Sequence, residues 1–297
     1  MLCADIGGSF LKFGILQADG TLRPAGRVPT PARDRDAFVL ALRRFADDAP
    51  GVPLALSLAG TVDPDSGTAQ CANIPCLNGR PLAAQLAAAL NRPVRIDNDA
   101  DCFAFAEATR GAGQGHRVVF GIILGSGVGG GLVADGRLVR GAGGVGGEWG
   151  HGPVAMSQLA DGTAVPRFPC GCGQRGCADS FGSARGLERL HAALGGAALS
   201  SPAIVQGWRD GDAAAGRSVA AWVEMLSGPL AMAVNLCGAS VVPVGGGLSN
   251  APDLIAALDA AVRARILRRT AEPLLRPSSF PDTAGLLGAA MLAAHAA

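Results

Sequence analysis

The stretch that decides the fold is Leu2-Cys3-Ala4-Asp5-Ile6-Gly7-Gly8-Ser9, at the start of the chain. Apolar residues surround a single aspartate and run into two glycines, which predicts a strand that ends in a tight turn. The strand pattern resumes from Leu11 to Leu16 and turns again at Asp19-Gly20, so we expect consecutive antiparallel strands. Asp5 then lies at the end of the first strand, beside a turn whose backbone amides can bind an anion.

The same pattern returns in the second half of the chain. We expect an apolar strand from Val118 to Leu124, a glycine turn from Gly125 to Gly131 and a second strand from Leu132 to Ala134. Gly245-Gly246-Gly247 follows a further predicted strand. Two strand–glycine turn–strand units predict a duplicated α/β core with a cleft between its halves. We predict one lobe from residues 1–113 with 283–297, and a larger lobe from residues 114–282.

Gly125-Ser126-Gly127-Val128-Gly129-Gly130 matches the letters of the G-x-G-x-x-G dinucleotide motif. That motif opens a helix, whereas these residues lead into a strand pattern, so a Rossmann fold is disfavoured. Each glycine run taken alone can be an ordinary turn. Three such runs, each after an apolar strand, favour binding of a nucleotide's phosphates by backbone amides.

Asp97-Asn98-Asp99 lies between a predicted strand and a predicted helix. Open α/β sheets bind ligands at the carboxyl ends of their strands, and an aspartate there can take the proton of an attacking hydroxyl. We predict that Asp99 is this base; the alternative is helix capping, which we assign to one of the two aspartates. Asp5 is predicted to contact Mg²⁺ or its water, with a plain turn aspartate as the alternative.

A histidine and three cysteines form the most specific motif of the chain. Cys170, Cys172 and Cys177 make a C-x-C-x4-C array, and His151 lies upstream. Four soft nitrogen and sulfur ligands are what a closed tetrahedral zinc site requires. Glu148, three residues before the histidine, adds a carboxylate to the same region, so the metal is predicted to brace a polar site.

Composition excludes several classes of function. The chain has 297 residues, a formal net charge of +1 and 4% aromatic residues, which indicates neither a nucleic-acid surface nor a stacking platform. No uninterrupted apolar run is long enough to span a bilayer, and the strand pattern begins at once without a basic region or an apolar signal core, so we expect no signal peptide. The eight cysteines do not suggest a secreted disulfide framework in a chain of this length. We therefore expect a cytoplasmic protein without membrane or nucleic-acid partners.

Together these segments resemble the ROK family of sugar kinases and regulators, and within it the bacterial N-acetylglucosamine kinases. The resemblance covers nearly the whole chain and rests on the glycine runs, the Asp97-Asn98-Asp99 segment, Gly147-Glu148-Trp149-Gly150-His151, and the cysteine array. It implies the two-lobed α/β actin/hexokinase/Hsp70-like ATPase fold, with a ribonuclease H-like duplicated core and a zinc-bearing insertion. It also implies ATP and Mg²⁺ as cofactors, structural Zn²⁺, and a homodimer.

The resemblance implies a role for each site residue. Asp99 would be the catalytic base toward the sugar 6-hydroxyl. Sugar binding would involve Asn73, Asn98, Asp99, Glu148, His151 and Asp179. Nucleotide and Mg²⁺ binding would involve Asp5, Gly7, Gly8, Ser9, Lys12, Gly125, Ser126, Gly127, Gly129, Gly245, Gly246 and Gly247. Zinc would be bound by His151, Cys170, Cys172 and Cys177.

The chain departs from the family pattern most importantly at Asp179, where the family has a glutamate that binds the sugar near its anomeric carbon. The expected reaction is ATP-dependent phosphorylation of N-acetyl-D-glucosamine on its 6-hydroxyl, with glucokinase or fructokinase activity as the alternative. A sugar-responsive regulator is disfavoured, because such members carry a helix-turn-helix ahead of a first strand that here begins at once. A sugar-binding protein without activity is the remaining alternative, motivated by Asp179 and by Ala59, which replaces the usual proline.

Overall fold

The computed structural model describes residues 1–47 and 49–295, which form two compact units. Unit 1 comprises Met1–Ala106, Arg137–Gly146 and the C-terminal residues from Asp282, and unit 2 comprises Glu107–Gly136 and Gly147–Pro281. Numbered along the chain, the strands are β1 (Leu2–Ile6), β2 (Phe10–Leu16), β3 (Leu22–Pro29), β4 (Leu54–Leu58), β5 (Thr61–Val62), β6 (Thr68–Gln70), β7 (Arg80–Pro81), β8 (Val94–Asn98), β9 (Val118–Leu124), β10 (Val128–Ala134), β11 (Arg137–Leu138), β12 (Val242–Gly245) and β13 (Leu275–Pro277). The α-helices are α1 (Arg35–Ala46), α2 (Leu82–Leu90), α3 (Asp99–Arg110), α4 (Ala178–Gly182), α5 (Ala184–Ala193), α6 (Ser201–Arg209), α7 (Ala213–Cys237), α8 (Pro252–Arg263) and α9 (Ala284–His295).

The main sheet of unit 1 has the strand order β3-β2-β1-β4-β8. The first three strands in sequence pair antiparallel, as predicted, while β1, β4 and β8 run parallel. Their register places Asp5 beside Ser57 and Ser57 beside Asp97. Because parallel strands end at the same edge of a sheet, the polar residues at the ends of β1, β4 and β8 converge there.

Helix α1 shows how the core of unit 1 is closed. Asp34 caps the helix, since its carboxylate accepts a hydrogen bond from the amide of Ala37 at 3.0 Å. Phe38, Leu42 and Ala46 recur every four residues and are buried, so one face of α1 packs in the core of unit 1. Burial of a side chain such as Phe38 contributes about 1.5–3 kcal/mol.

Unit 2 repeats the arrangement of unit 1. Strands β9 and β10 pair antiparallel, while β12 runs parallel to β9 and β13 runs parallel to β12. The order β10-β9-β12-β13 therefore matches β2-β1-β4-β8, which confirms the predicted duplicated α/β core. The predicted lobes, 1–113 with 283–297 and 114–282, stay a prediction, and residues 296–297 lie outside the described part of the chain.

The predicted end of the glycine turn in unit 2 was wrong. Strand β10 begins at Val128, so Gly129, Gly130 and Gly131 belong to the strand and pair with residues of β9. The turn is limited to Gly125–Gly127. Glycines have low strand propensity, but the ladder with β9 decides their conformation here. The G-x-G-x-x-G letters thus lead into a strand, which confirms that they do not open a Rossmann helix.

Helix α7 forms the centre of the core of unit 2. Among the described residues, 1–47 and 49–295, one helix is long and apolar enough to span a membrane. That helix is α7, with a mean hydropathy of 1.4 over 18 residues. Half of that segment is buried inside the protein, and Trp222, Leu226 and Leu230 have no exposed surface. Asp212 caps the helix through the amide of Ala215 at 2.7 Å. Burial of this kind is typical of a core helix.

Candidate active site

The carboxylate of Asp5 lies at the carboxyl edge of the unit 1 sheet, as predicted. Ser57 on β4 donates its hydroxyl to Asp5 Oδ1 at 2.8 Å. Gly285 on α9 packs so closely that a Cβ there would lie 2.9 Å from the same oxygen. Burial raises the pKa of Asp5, although the hydroxyl of Ser57 and the charge of Lys12 partly offset this effect. An enclosed carboxylate that is costly to ionise is a site where a cation would be favourable.

The glycine turn of unit 1 is closed by its own backbone. Gly7 donates its amide to the carbonyl of Phe10 at 3.1 Å. Thr30 supports the turn from β3's end, because its hydroxyl donates to the carbonyl of Gly7 at 2.6 Å and its amide donates to the carbonyl of Ser9 at 3.0 Å. Asn73 lies against Gly8, where an added Cβ would approach the Asn73 Cβ to 3.1 Å.

Lys12 and Asn73 therefore join the turn in unit 1. Lys12 faces Asp5 across the β1–β2 pairing, which places a cation beside the enclosed carboxylate. Asn73 is exposed next to Gly8. The structure thus brings together Asp5, Gly7, Gly8, Ser9, Lys12 and Asn73 within unit 1.

Asn98 caps helix α3. Its Oδ1 accepts the amide of Asp101 at 3.0 Å, and its Nδ2 donates to the carbonyl of Gly60 at 3.0 Å. The prediction that one of the aspartates supplies the cap was wrong. Asp99 begins the helix and is half-buried, with Oδ1 accepting the amide of Ala100 at 2.9 Å. The cap fixes the first turn of α3, and with it the backbone position of Asp99.

Asp97 belongs to an ion-pair network with two half-buried arginines. Its carboxylate is 5% exposed and bonds Arg140 at 2.6 Å and Arg95 at 2.9 Å. Both arginines belong to unit 1, although Arg140 is distant in sequence. The network secures the end of β8, from which Asn98 and Asp99 project.

In unit 2, two of the predicted glycine runs meet. Gly246 has a left-handed φ of 86°, and a Cβ there would lie 2.5 Å from the carbonyl of Leu124 and 2.7 Å from the amide of Gly125. Gly245 is the last residue of β12 and pairs with Ile123. Close backbone approach of this kind needs glycine. The turn Gly125–Gly127 and the run 245–247 therefore form one glycine-lined surface.

Gly129 does not belong to that turn. It pairs with Ile123 within β10, and its carbonyl accepts the indole N–H of Trp149 at 3.0 Å. The predicted role of Gly129 as part of an anion-binding turn is thus not matched by its position in the strand. Through this hydrogen bond, Trp149 connects the segment that contains Glu148 and His151 to β10.

The four predicted metal ligands converge in unit 2. The ligand atoms of His151, Cys170, Cys172 and Cys177 all lie within 4.8 Å of one another. His151 Nδ1 is 3.6 Å from Cys170 Sγ, and Cys172 Sγ is 3.6 Å from Cys177 Sγ. Tetrahedral zinc with Zn–S bonds of about 2.3 Å has sulfur atoms about 3.8 Å apart, so the donor set fits that ion.

The cysteines of this cluster have different acidities. Hydrogen bonding from the backbone amide of Gln174 lowers the pKa of Cys172 to about 7. Burial raises the pKa of Cys170 to about 12. A bound cation would favour the thiolate form of each ligand.

His151 connects the cysteines to Glu148. While Nδ1 faces Cys170, Nε2 lies 3.7 Å from Glu148 Oε2. Burial raises the pKa of Glu148, the charge of His151 lowers it, and the charge of Asp179 raises it. The imidazole thus presents Nδ1 to the cysteines and Nε2 to Glu148, a geometry that fixes its orientation.

Asp179 also lies beside this cluster, and its Oδ2 accepts a hydrogen bond from Cys170 Sγ at 3.6 Å. Its Oδ1 accepts the amide of Val128, the first residue of β10, at 2.8 Å. This contact was not expected from the sequence.

Three further contributors were missed by the sequence analysis. The sequence could have indicated Ser57, since it is the one polar residue in the apolar strand Leu54–Leu58. No local pattern could have indicated Thr30 or Arg140, because each forms a hydrogen bond with a residue that is distant along the chain.

Comparison with known proteins adds an independent line of support. A family profile described as the ROK family matches residues 1–296. An N-acetylgalactosamine kinase from Shewanella sp. (strain ANA-3) is 36% identical over 293 residues, which cover 97% of this chain and 94% of that protein. An N-acetyl-D-glucosamine kinase from Pectobacterium atrosepticum is 35% identical over 294 residues, covering 97% of each chain.

Solved structures give the same result for the fold. The crystal structure of a ROK family glucokinase from Streptomyces griseus, in complex with glucose and AMPPNP, superposes with a TM-score of 0.80. It is 28% identical and covers 98% of each chain. The fold is therefore the mixed α/β actin/hexokinase-like ATPase fold, as expected, with a Cys/His cluster that could bind zinc.

Proposed function

The chain belongs to the ROK family and is an ATP-dependent sugar kinase, and we propose that it phosphorylates the 6-hydroxyl of N-acetyl-D-glucosamine. The observation that carries the chemistry is the placement of Asp99. It begins α3 directly after β8, and the Asn98 cap holds this turn at the carboxyl edge that also presents Asp5. Such an edge is where α/β sheets bind ligands.

Asp99 is proposed to be the general base. The transferred phosphoryl group needs an acceptor hydroxyl oriented in line and relieved of its proton as the new bond forms. A half-buried carboxylate at the start of a helix can orient that hydroxyl and accept the proton. Asn98, Asn73, Glu148 and His151 are proposed to bind the remaining hydroxyls of the sugar.

The glycine runs are proposed to bind the nucleotide. In unit 2, Gly125–Gly127 and the adjoining run 245–247 expose backbone at close approach, which suits phosphate and base. In unit 1, the turn 7–9 with Lys12 is proposed to face the terminal phosphates. Mg²⁺ would neutralise the phosphates, and the enclosed carboxylate of Asp5 fits a role in holding it or its water.

Zinc is proposed to be structural. His151 with Cys170, Cys172 and Cys177 would fill four positions, leaving no open coordination site for substrate. The metal would then hold the His151 ring so that Nε2 and Glu148 remain placed for the sugar.

The identity of the sugar is supported by the curated relatives. The Pectobacterium protein is named for N-acetyl-D-glucosamine and the Shewanella protein for N-acetylgalactosamine, and both match along 97% of this chain. N-acetylgalactosamine is therefore the second candidate acceptor, ahead of glucose and fructose. The two amino sugars differ only at the 4-hydroxyl, so discrimination depends on few contacts.

A coupled ADP-release assay tests this proposal. It would compare N-acetylglucosamine, N-acetylgalactosamine, N-acetylmannosamine, glucose and fructose with the purified chain. We expect the highest kcat/KM with N-acetylglucosamine, and a higher value for any other sugar would contradict the assignment. Asp99→Asn is the control, because its Oδ1 can still accept the amide of Ala100 and preserve α3. Its kcat should fall about a hundredfold or more while the circular dichroism spectrum is unchanged.

We also propose that the protein is a cytoplasmic homodimer without nucleic-acid or membrane partners. The formal net charge of +1 gives no basic surface for nucleic acid. Met232 and Leu236, one turn apart on α7, are 72% and 88% exposed, and they offer an apolar surface to a second copy. Sedimentation equilibrium at micromolar concentration should give twice the chain mass.

A further inference from the structure

Asp179 joins the metal-binding segment to the glycine turn of unit 2. Its Oδ1 accepts the amide of Val128 at 2.8 Å, and its Oδ2 lies 3.6 Å from Cys170 Sγ. A Cβ on Gly127 would lie 2.8 Å from Asp179 Oδ1, so the carboxylate occupies the space that a side chain at position 127 would need. The carboxylate of Asp179 thus packs directly against the turn at Gly127.

Backbone contacts on both sides reinforce this junction. Ala184 donates its amide to the carbonyl of Gly125 at 2.8 Å, and Asp179 donates its own amide to the carbonyl of Gly150 at 2.9 Å. The segment that contains Cys177 and Asp179 therefore contacts the turn at both of its ends. Asp179 supplies the side-chain oxygen that accepts the amide at the Val128 end.

The bonds also determine which amides of the turn are engaged. Gly125 donates to the carbonyl of Gly127 at 3.0 Å, and Val128 donates to Asp179. The amides of Ser126 and Gly127 lie between these two donors, at the tip of the turn. Fixing Val128 fixes the peptide plane next to Gly127, and hence the direction in which the tip presents its amides.

We propose that Asp179 is a positioning residue for the nucleotide turn Gly125–Gly127, and that it acts on ATP affinity more than on sugar affinity. The inference rests on the proposed function of that turn. It differs from the sugar-binding role implied by the family pattern, where a longer glutamate occupies this position. In this chain one carboxylate oxygen already serves the turn, and the side chain is one methylene shorter.

Two substitutions separate the roles. Asp179→Ala removes the acceptor of the Val128 amide, whereas Asp179→Asn keeps an oxygen acceptor of the same reach. AMPPNP binding is measured by titration calorimetry, and the KM values for ATP and for N-acetylglucosamine are measured separately. Asp179→Ala should weaken AMPPNP binding and raise the KM for ATP about tenfold to a hundredfold, with the sugar KM changed by less than about threefold. Asp179→Asn should stay within about threefold of the wild type for both.

Gly127→Ala provides a second route to the same contact. Its new Cβ would displace the carboxylate, so it should weaken AMPPNP binding as Asp179→Ala does. The double variant should be no weaker than the more affected single variant, because both remove one interaction. Zinc content, measured by mass spectrometry, should equal that of the wild type in every variant.

The opposite pattern overturns the inference. A rise in the sugar KM with AMPPNP affinity unchanged, in either Asp179 variant, would identify a direct sugar ligand. Loss of zinc in Asp179→Ala, or a loss of AMPPNP affinity that Asp179→Asn shares, would also contradict it. A wild-type chain that binds AMPPNP but phosphorylates no sugar would refute the proposed function alone, and the calorimetric comparison would still test Asp179.

Discussion

Replacing Gly246 by alanine tests the contact between the two glycine runs of unit 2. Gly246 has φ 86°, and an alanine there costs about 1–2 kcal/mol in backbone strain. The added Cβ would lie 2.5 Å from backbone atoms of Leu124, which cannot move as a flexible side chain can. Overpacking of this kind costs about 1–3 kcal/mol more. We therefore expect Gly246→Ala to destabilise unit 2 by roughly 2–5 kcal/mol.

Gly247→Ala is the matched control for stability. It follows directly in the sequence, but a Cβ there meets no atom within 4 Å. Thermal unfolding followed by calorimetry should show an apparent Tm lower by roughly 4 °C or more for Gly246→Ala than for Gly247→Ala. AMPPNP binding should weaken in Gly246→Ala, since the turn 125–127 is displaced. Equal melting temperatures for the two variants would refute the close approach on which the glycine-lined surface depends.

Three further predictions follow from the buried charges and the cysteines. Burial raises the pKa of Asp5 above its unfolded value, so folding favours its protonated form; the stability from this group is greatest below the unfolded pKa and is lost as pH rises through the folded pKa. The Tm of Asp5→Asn should therefore exceed that of the wild type at pH 7, and this difference should shrink at acidic pH. Sugar phosphorylation should be lost, and a Tm below that of the wild type at pH 7 would contradict this reasoning. Asp97→Asn should lower the free energy of unfolding in urea by about 1.5–3 kcal/mol, because Arg140 and Arg95 lose a charged hydrogen-bond partner. Asp135→Asn breaks the exposed pair with Arg117 and should leave the urea midpoint unchanged, so equal effects of the two variants would count against the network. Metal analysis should find about one zinc ion per chain, and a Cys172→Ser variant should retain less; a zinc-free protein with reduced cysteines would exclude the metal.

Local sequence patterns predicted the parts of the fold that depend on neighbouring residues. The apolar strand around Asp5 and its glycine turn could be located, because alternation and turn residues act over a few positions. The spacing of Cys170, Cys172 and Cys177 predicted, for the same reason, that these side chains converge. The repeated strand–turn–strand pattern predicted the duplicated core.

Contacts that depend on pairing could not be predicted in this way. Asp97, Asn98 and Asp99 are all good capping residues. The choice depends on a distant contact, because Arg140 binds the carboxylate of Asp97 while Asn98 accepts the amide of Asp101. Gly129 looked like a turn residue until the β9 ladder placed it in a strand. The contact of Asp179 with Val128 joins residues 51 positions apart, and no local pattern indicates it.

A crystal structure with N-acetylglucosamine and AMPPNP tests the central claim most directly. The measurement is the distance from the Asp99 carboxylate to the 6-hydroxyl oxygen of the sugar. We predict a hydrogen bond of about 2.6–3.2 Å, with the γ-phosphate on the far side of that oxygen. A sugar whose 6-hydroxyl lies beyond the reach of Asp99, or whose nearest acidic group is another residue, would contradict the account.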